Sequence, residues 1–108
     1  GDVAGRMCIL VDDMIDTGGT ITKAAQVLKE HGASAVIAAA THPILSGPAA
    51  QRLNESAFEE VIVTNTLPIR EDLLIPKLTV LSIAPLLAQA IQEVFVEGSV
   101  ASLFGSLE

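Results

Sequence analysis

Four short apolar runs along the chain have the length of β-strands. They cover residues 6–11, 35–41, 60–64 and 77–81. Such runs, with little polar alternation, are typical of strands that are buried on both faces of a parallel sheet. The first run is followed by the adjacent carboxylates of Asp12 and Asp13, and we expect these to stop the strand.

Between and after these runs, apolar residues recur at helical spacing. This spacing predicts a helix from about Gly19 to His31, with Gly32 as its C-terminal stop. We expect Ser46 to cap a short second helix, and Pro85 to lie in the first turn of a third. A strand, a helix and a strand at this spacing form a parallel unit with a right-handed crossover. The predicted fold class is therefore α/β, with a mostly parallel sheet of about four strands and three helices.

A polar cluster after the first strand opens the first helix. It reads Asp16-Thr17-Gly18-Gly19-Thr20. The first N–H groups of a helix have no partner within the helix and favour phosphate, and paired glycines let the backbone approach such a ligand closely. Hydroxyl groups of the two threonines can add donors. The cluster therefore indicates a phosphate-binding loop, although Asp, Gly and Thr at such a place can also form only a turn and a helix cap.

Carboxylates surround this loop, and they cannot bind the phosphate itself. Asp12, Asp13 and Asp16 can accept hydrogen bonds from sugar hydroxyl groups or help to hold a divalent cation. Phosphate donors beside carboxylates suggest a phosphorylated sugar. His42 ends the second strand at the same edge of the sheet, where it either packs in the loop or takes part in acid–base chemistry. For His31, in the last turn of the first helix, we expect a capping role.

Composition and net charge exclude some classes of function. Half of the 108 residues are hydrophobic and the aromatic residues are three Phe, so the core is built from Ala, Val, Ile and Leu. A net charge of -7 argues against a general nucleic-acid or anionic-membrane binder, but not against a phosphate ligand at a helix N-terminus. The single Cys8 excludes an internal disulfide. We find neither a signal peptide nor an apolar run that could span a membrane, so we expect a cytoplasmic location. The high apolar fraction hints at oligomerisation or missing sequence.

Residues 11–20, VDDMIDTGGT, resemble the ribose-5-phosphate loop of the ribose-phosphate pyrophosphokinase family. The broader pattern of an apolar strand, two acids and a Thr-Gly loop is shared with type I phosphoribosyltransferases. Further stretches resemble the pyrophosphokinases at residues 1–6, 41–49, 63–68 and 99–104. The resemblance covers nearly the whole chain and implies a phosphoribosyltransferase-like, three-layer αβα fold, here as a truncated domain.

The resemblance also implies an activity in nucleotide biosynthesis. Members of the family are transferases that move the β,γ-diphosphate of MgATP to the anomeric hydroxyl of ribose 5-phosphate and release AMP. It implies that Asp12 and Asp13 face the ribose hydroxyls, and that Asp16, Thr17, Gly18, Gly19 and Thr20 cradle the 5-phosphate. It implies Mg²⁺ as the cofactor, with Asp12 and Asp13 as the candidate contacts. It implies a homo-oligomer, typically a hexamer.

Residues 1–104 resemble a partial, carboxyl-terminal ribose-5-phosphate-binding domain. The family's amino-terminal domain, with most of the ATP contacts, and its basic catalytic loop have no counterpart here, so we assign no catalytic residue and expect no activity from this chain alone. In the tail, Ala101 replaces the second serine of the family's Ser-Val-Ser, which leaves Ser99 as the candidate allosteric contact. Residues 105–108 depart from the resemblance, and we expect them to be a cloning remnant.

Three alternatives stay open at this point. The first is a phosphoribosyltransferase domain, for which we find no base-recognition segment. The second is a non-catalytic regulatory homologue that binds synthetase subunits, although the intact loop argues against it. The third is a half-fold excised on purpose, which would act only as a binding module.

Overall fold

The computed structural model describes residues 1–96, and its fold class is α/β as predicted. All four predicted strands and all three predicted helices are present, with one further turn of 3₁₀-helix at Glu71–Leu73. In chain order they are β1 Met7–Ile15, α1 Gly19–Glu30, β2 Ala35–Pro43, α2 Ala49–Glu55, β3 Glu60–Thr64, β4 Leu78–Leu81 and α3 Ala84–Phe95. The expectations for Ser99 and for residues 105–108 lie outside the described residues.

The four strands form one parallel sheet in the order β1-β2-β3-β4. Each connection therefore moves one strand further in the same direction. Right-handed crossovers that all advance in one direction return over the same face of the sheet. This places α1, α2 and the connection after β3 on one face, and it brings the carboxyl ends of all strands to one edge.

The core lies between the sheet and these helices. Alternate residues of the two central strands face it, namely Val36, Ala38 and Ala40 of β2 and Val61 and Val63 of β3. Small residues of the helices let the backbones approach, and Phe58 and Leu53 fill the remaining space. The buried set is Ile15, Ala25, Ala33, Val36, Ala38, Ala40, Leu45, Ala49, Leu53, Phe58, Val61 and Val63.

The opposite face of the sheet is open at β1. Met7, Ile9 and Val11 are 61%, 59% and 79% exposed. The expectation that this strand is buried on both faces was therefore wrong, because β1 is an edge strand and the crossovers cover only one face. Helix α3 also contributes no buried residue, although its apolar face is the broadest in the sequence. In residues 1–96, no helix is long and apolar enough to cross a bilayer.

Two predicted boundaries were also wrong. The carboxylates of Asp12 and Asp13 do not stop β1, which continues to Ile15 because β2 keeps pairing with it as far as Pro43. Backbone pairing in the ladder outweighs the poor strand propensity of Asp. The second helix is not capped by Ser46: Pro48 is its N-cap residue, and α2 follows at Ala49.

A Val→Ala substitution should lower the free energy of unfolding by different amounts on the two faces of the sheet. Val63→Ala removes two methyl groups from a site that is 0% exposed, so we expect the free energy of unfolding to fall by roughly 2 kcal/mol. Val11→Ala, at the open face, should change it by less than about 0.5 kcal/mol. Urea unfolding at several protein concentrations measures both. Equal losses at the two positions would contradict an open face at β1.

Candidate functional site

The loop between β1 and α1 forms a depression at the carboxyl edge of the sheet. Its volume is about 160 Å³, and it is lined by Asp12 and by residues 14–21. Six of the seven sequence-predicted binding residues therefore line it together: Asp12, Asp16, Thr17, Gly18, Gly19 and Thr20. The seventh, Asp13, lies exposed on β1 and is not part of this lining.

Helix α1 begins at the depression without a side-chain cap. Its N-cap residue is Gly18, with φ 77° and ψ 0°, and in the described part of the chain no side chain caps the first turn. This left-handed conformation costs a residue with a side chain about 1–2 kcal/mol, which explains the glycine. The N–H groups of the first turn remain available, and the positive end of the helix dipole favours an anion there.

The connection between β2 and α2 supports this loop from behind. The backbone N–H groups of Ile44 and Leu45 donate to the carbonyl oxygen of Ile15 at 3.1 and 3.0 Å, and that of Ser46 donates to the carbonyl of Asp16 at 2.9 Å. Leu45 has φ 52°, a left-handed conformation that is unfavourable for a leucine. Its side chain is only 4% exposed, so packing in the core holds this backbone in place.

One of the two carboxylates that line the depression, that of Asp12, is ionised at neutral pH. The backbone N–H of Asp13 donates to Oδ1 of Asp12 at 2.7 Å. The pKa of Asp12 is held below its usual value, first by the interaction of its side chain with that of Asp13 and then by the backbone N–H groups of Asp13 and Met14. An ionised carboxylate accepts hydrogen bonds and donates none, so Asp12 is suited to sugar hydroxyl groups.

The acidic residues fit a cation only in part. Among residues 1–96, no cluster of three or more His, Cys, Asp or Glu side chains could hold a metal ion. Asp12 and Asp13 would supply at most two carboxylates. Mg²⁺ is commonly bound in this way, through one or two carboxylates with its remaining ligands being water or phosphate oxygens of a substrate. Of this pair only Asp12 lines the depression, so there the pair would offer a Mg²⁺ ion one carboxylate, with water or phosphate oxygens as its other ligands.

His42 joins the ends of β2 and β3. The Thr66 hydroxyl donates its one proton to the carbonyl of Thr41 at 3.3 Å, and it lies 2.9 Å from Nδ1 of His42. With the hydroxyl donating to Thr41, we assign the donor role to the histidine, which has its proton on Nδ1 and Nε2 as an acceptor in the neutral ring. His31, in contrast, donates from Nδ1 to the carbonyl of Val27 at 2.8 Å, which confirms its predicted capping role.

Two basic residues near the loop were not singled out from the sequence. Lys23 and Arg52 line an open cavity of about 850 Å³ that shares Thr17, Gly19 and Thr20 with the loop. Arg52 is 35 residues from Thr17 along the chain. A single Arg on a short helix forms no motif, so only the folded chain reveals this proximity.

Comparison with known proteins finds matches over nearly the whole of this chain. The model of the phosphoribosyl synthetase-associated domain matches residues 1–105. The ribose-phosphate pyrophosphokinase of Mycobacterium tuberculosis is 65% identical over 104 residues, which are 96% of this chain and 32% of that protein. The corresponding protein of Streptomyces coelicolor is 62% identical, with the same coverage.

A solved structure gives the same result for the fold. The phosphoribosylpyrophosphate synthetase from Mycobacterium smegmatis superposes with a TM-score of 0.86 at 65% sequence identity. The match covers 91% of this chain and 33% of that one. This chain thus spans about a third of the length of the proteins it matches.

The histidine network predicts a tautomer. In its neutral form, His42 should carry its proton on Nδ1, because the Thr66 hydroxyl accepts from it. Long-range ¹H–¹⁵N correlation of the ring identifies the protonated nitrogen. Thr66→Val should move the proton to Nε2, whereas Thr66→Ser, which keeps the hydroxyl, should not. A proton on Nε2 in the unsubstituted chain would contradict the network.

Proposed function

Because this chain belongs to the family of the phosphoribosyl synthetase-associated domain, we propose that it is the ribose-5-phosphate-binding portion of a ribose-phosphate diphosphokinase. One observation carries the proposal. The uncapped start of α1, with Gly18 in the left-handed conformation, lies in one depression with the carboxylate of Asp12. A site for an anion and a site for hydroxyl groups are thereby adjacent, as a sugar phosphate requires.

Each residue of the loop has a role in this proposal. The N–H groups of residues 16–20 and the hydroxyls of Thr17 and Thr20 bind the 5-phosphate, and the two glycines admit it to the backbone. Asp12 accepts hydrogen bonds from the ribose hydroxyls. Asp13, although outside the lining, is close enough along β1 to help Asp12 contact a cation or the sugar.

In the reaction that we assign to the whole enzyme, the anomeric oxygen of ribose 5-phosphate attacks the β-phosphorus of ATP. The bond from that phosphorus to the α,β-bridging oxygen breaks, AMP leaves, and the sugar hydroxyl loses its proton. Mg²⁺ supplies charge neutralisation on the phosphates when it is bound. This chain contributes positioning, because binding the 5-phosphate and the ribose fixes where the anomeric oxygen lies.

The same proposal covers the chain's place in a larger protein. Residues 1–104 form part of a carboxyl-terminal domain, and the remainder of a full-length enzyme supplies most of the ATP contacts. We expect such an enzyme to be a cytoplasmic homo-oligomer. The intact loop argues against the alternative of a non-catalytic regulatory subunit that has lost its site, and ligand binding by this chain would count against such a loss.

Binding is tested by an amide-resolved NMR titration of this chain with ribose 5-phosphate, with and without Mg²⁺. We expect selective shifts of the amides of residues 16–21, because these N–H groups receive the phosphate. Gly18→Ala should weaken binding by roughly five- to thirtyfold, since a left-handed residue with a side chain costs about 1–2 kcal/mol there.

A matched control is available at the other end of β1. Gly5 has φ 71°, and a methyl group added to it would meet no atom within 4 Å, so Gly5→Ala carries a similar backbone strain away from the loop. It should leave the affinity for ribose 5-phosphate unchanged. Shifts scattered over the whole spectrum, or no shift in a well-dispersed one, would argue against a sugar-phosphate site in this chain.

Catalysis by the chain alone is a separate question. We expect no AMP release when it is mixed with ATP, Mg²⁺ and ribose 5-phosphate, because the described residues offer one sugar-phosphate loop and no assigned ATP contact. Chromatographic detection of AMP measures this, with a full-length relative as the positive control. AMP formation above the rate without protein would show that the catalytic groups lie within these 108 residues.

A further inference from the structure

Arg52 reaches from α2 to the phosphate loop. Its Nη1 donates to the carbonyl oxygen of Thr17 at 3.1 Å. A side chain of α2 thus contacts the loop that precedes α1. It completes a series, because the carbonyls of Ile15 and Asp16 already accept hydrogen bonds from residues 44–46. Three consecutive loop carbonyls are thus held by the segment 44–52.

Because each peptide group is planar, holding a carbonyl oxygen also fixes where the N–H group of the next residue points. In a trans peptide, the C=O of one residue and the N–H of the next point to opposite sides, and in the described residues no peptide is cis. Holding the carbonyls of Ile15, Asp16 and Thr17 toward segment 44–52 therefore turns the N–H groups of Asp16, Thr17 and Gly18 away from it. Those three N–H groups belong to the proposed phosphate site.

Position 19 favours glycine for a different reason than position 18 does. Its backbone does not have a positive φ, but a Cβ built on it would lie 3.1 Å from Nη1 and 3.8 Å from Cζ of Arg52. A methyl group at this distance forces the guanidinium to move. The missing side chain at position 19 thus makes room for Arg52 beside the loop.

We propose that Arg52 is a positioning residue of the phosphate loop, which orients the Thr17–Gly18 peptide by holding its carbonyl and occupies the space that Gly19 leaves free. The ligand of this loop is the sugar phosphate of the proposed function. The expected effect of Arg52 on ligand affinity therefore rests on that function, whereas its effect on loop rigidity does not. Arg52 acts through the loop backbone, and its charge adds to the positive potential at the start of α1.

Four variants of the 108-residue chain test this: Arg52→Met, Arg52→Lys, Gly19→Ala and the Arg52→Met/Gly19→Ala double variant. Two readouts apply to each, the ¹⁵N order parameters of Thr17 and Gly18 without ligand and the dissociation constant for ribose 5-phosphate. For Arg52→Met we expect the order parameters to fall from about 0.85 toward 0.6 and the affinity to drop about tenfold. Arg52→Lys, which keeps a cationic donor, should recover most of both losses.

Non-additivity separates positioning from a general loss of structure. Gly19→Ala should give a smaller loss in the same direction as Arg52→Met, because its methyl group shifts the same guanidinium by a few tenths of an ångström, and it should add little once Arg52 is gone. Arg6→Met is the matched control, since Arg6 is an exposed Arg that precedes β1, at the opposite end of that strand from the loop. The control should change neither readout.

Each outcome decides the proposal. Unchanged order parameters in Arg52→Met would overturn it, and so would strictly additive losses in the double variant. A third contradicting result would be an Arg52→Met chain in which Thr17 and Gly18 stay rigid while the thermal midpoint falls in proportion to the affinity. If the unsubstituted chain binds no ribose 5-phosphate, the proposed function fails. The order parameters then still decide whether Arg52 holds the loop.

Discussion

The long parallel ladder between β1 and β2 is the interaction on which the site depends. It pairs Met7 with Ala35 at one end and Ile15 with Pro43 at the other. Since both strands end at the same height, the loops that follow them leave the sheet side by side. This allows the backbone of residues 44–46 to bind the carbonyls of Ile15 and Asp16. A shorter ladder would have separated the two loops and left the start of α1 without support.

Much of this arrangement could be predicted from the sequence. β3 has the predicted bounds, and α1 begins at Gly19 as predicted, because Gly18 can adopt the left-handed conformation from which the helix starts and the apolar positions that follow recur at helical spacing. The end of β1 could not be predicted, because Asp12 and Asp13 are poor strand residues that only the pairing with β2 keeps extended. The apolar pattern of residues 6–11 also cannot reveal whether one face or both are covered, since exposed and buried strands can have the same composition.

The residues of the candidate site could also be predicted only in part from the sequence. The residues that share a segment, from Asp12 to Thr20, were predicted together because phosphate binding uses contiguous backbone. Arg52 and Thr66 were not, because their roles arise from contacts with Thr17 and His42 that are distant along the chain. The charges explain why a chain of net charge -7 can have an anion site. The start of α1, Lys23 and Arg52 place positive charge directly beside the loop, and this local charge can attract an anion although Asp12 and Asp16 line the same depression.

The open face at β1 has a consequence for the thermodynamics of the chain. Unfolding raises the heat capacity mainly by exposing apolar surface to water, and here Met7, Ile9, Val11 and the apolar face of α3 are already hydrated in the folded state. The heat-capacity increment per residue is therefore smaller than the usual value of about 12–15 cal/mol/K. A smaller increment flattens the curve of stability against temperature, so this fold changes less in stability on cooling than a chain of its length whose apolar faces are all covered.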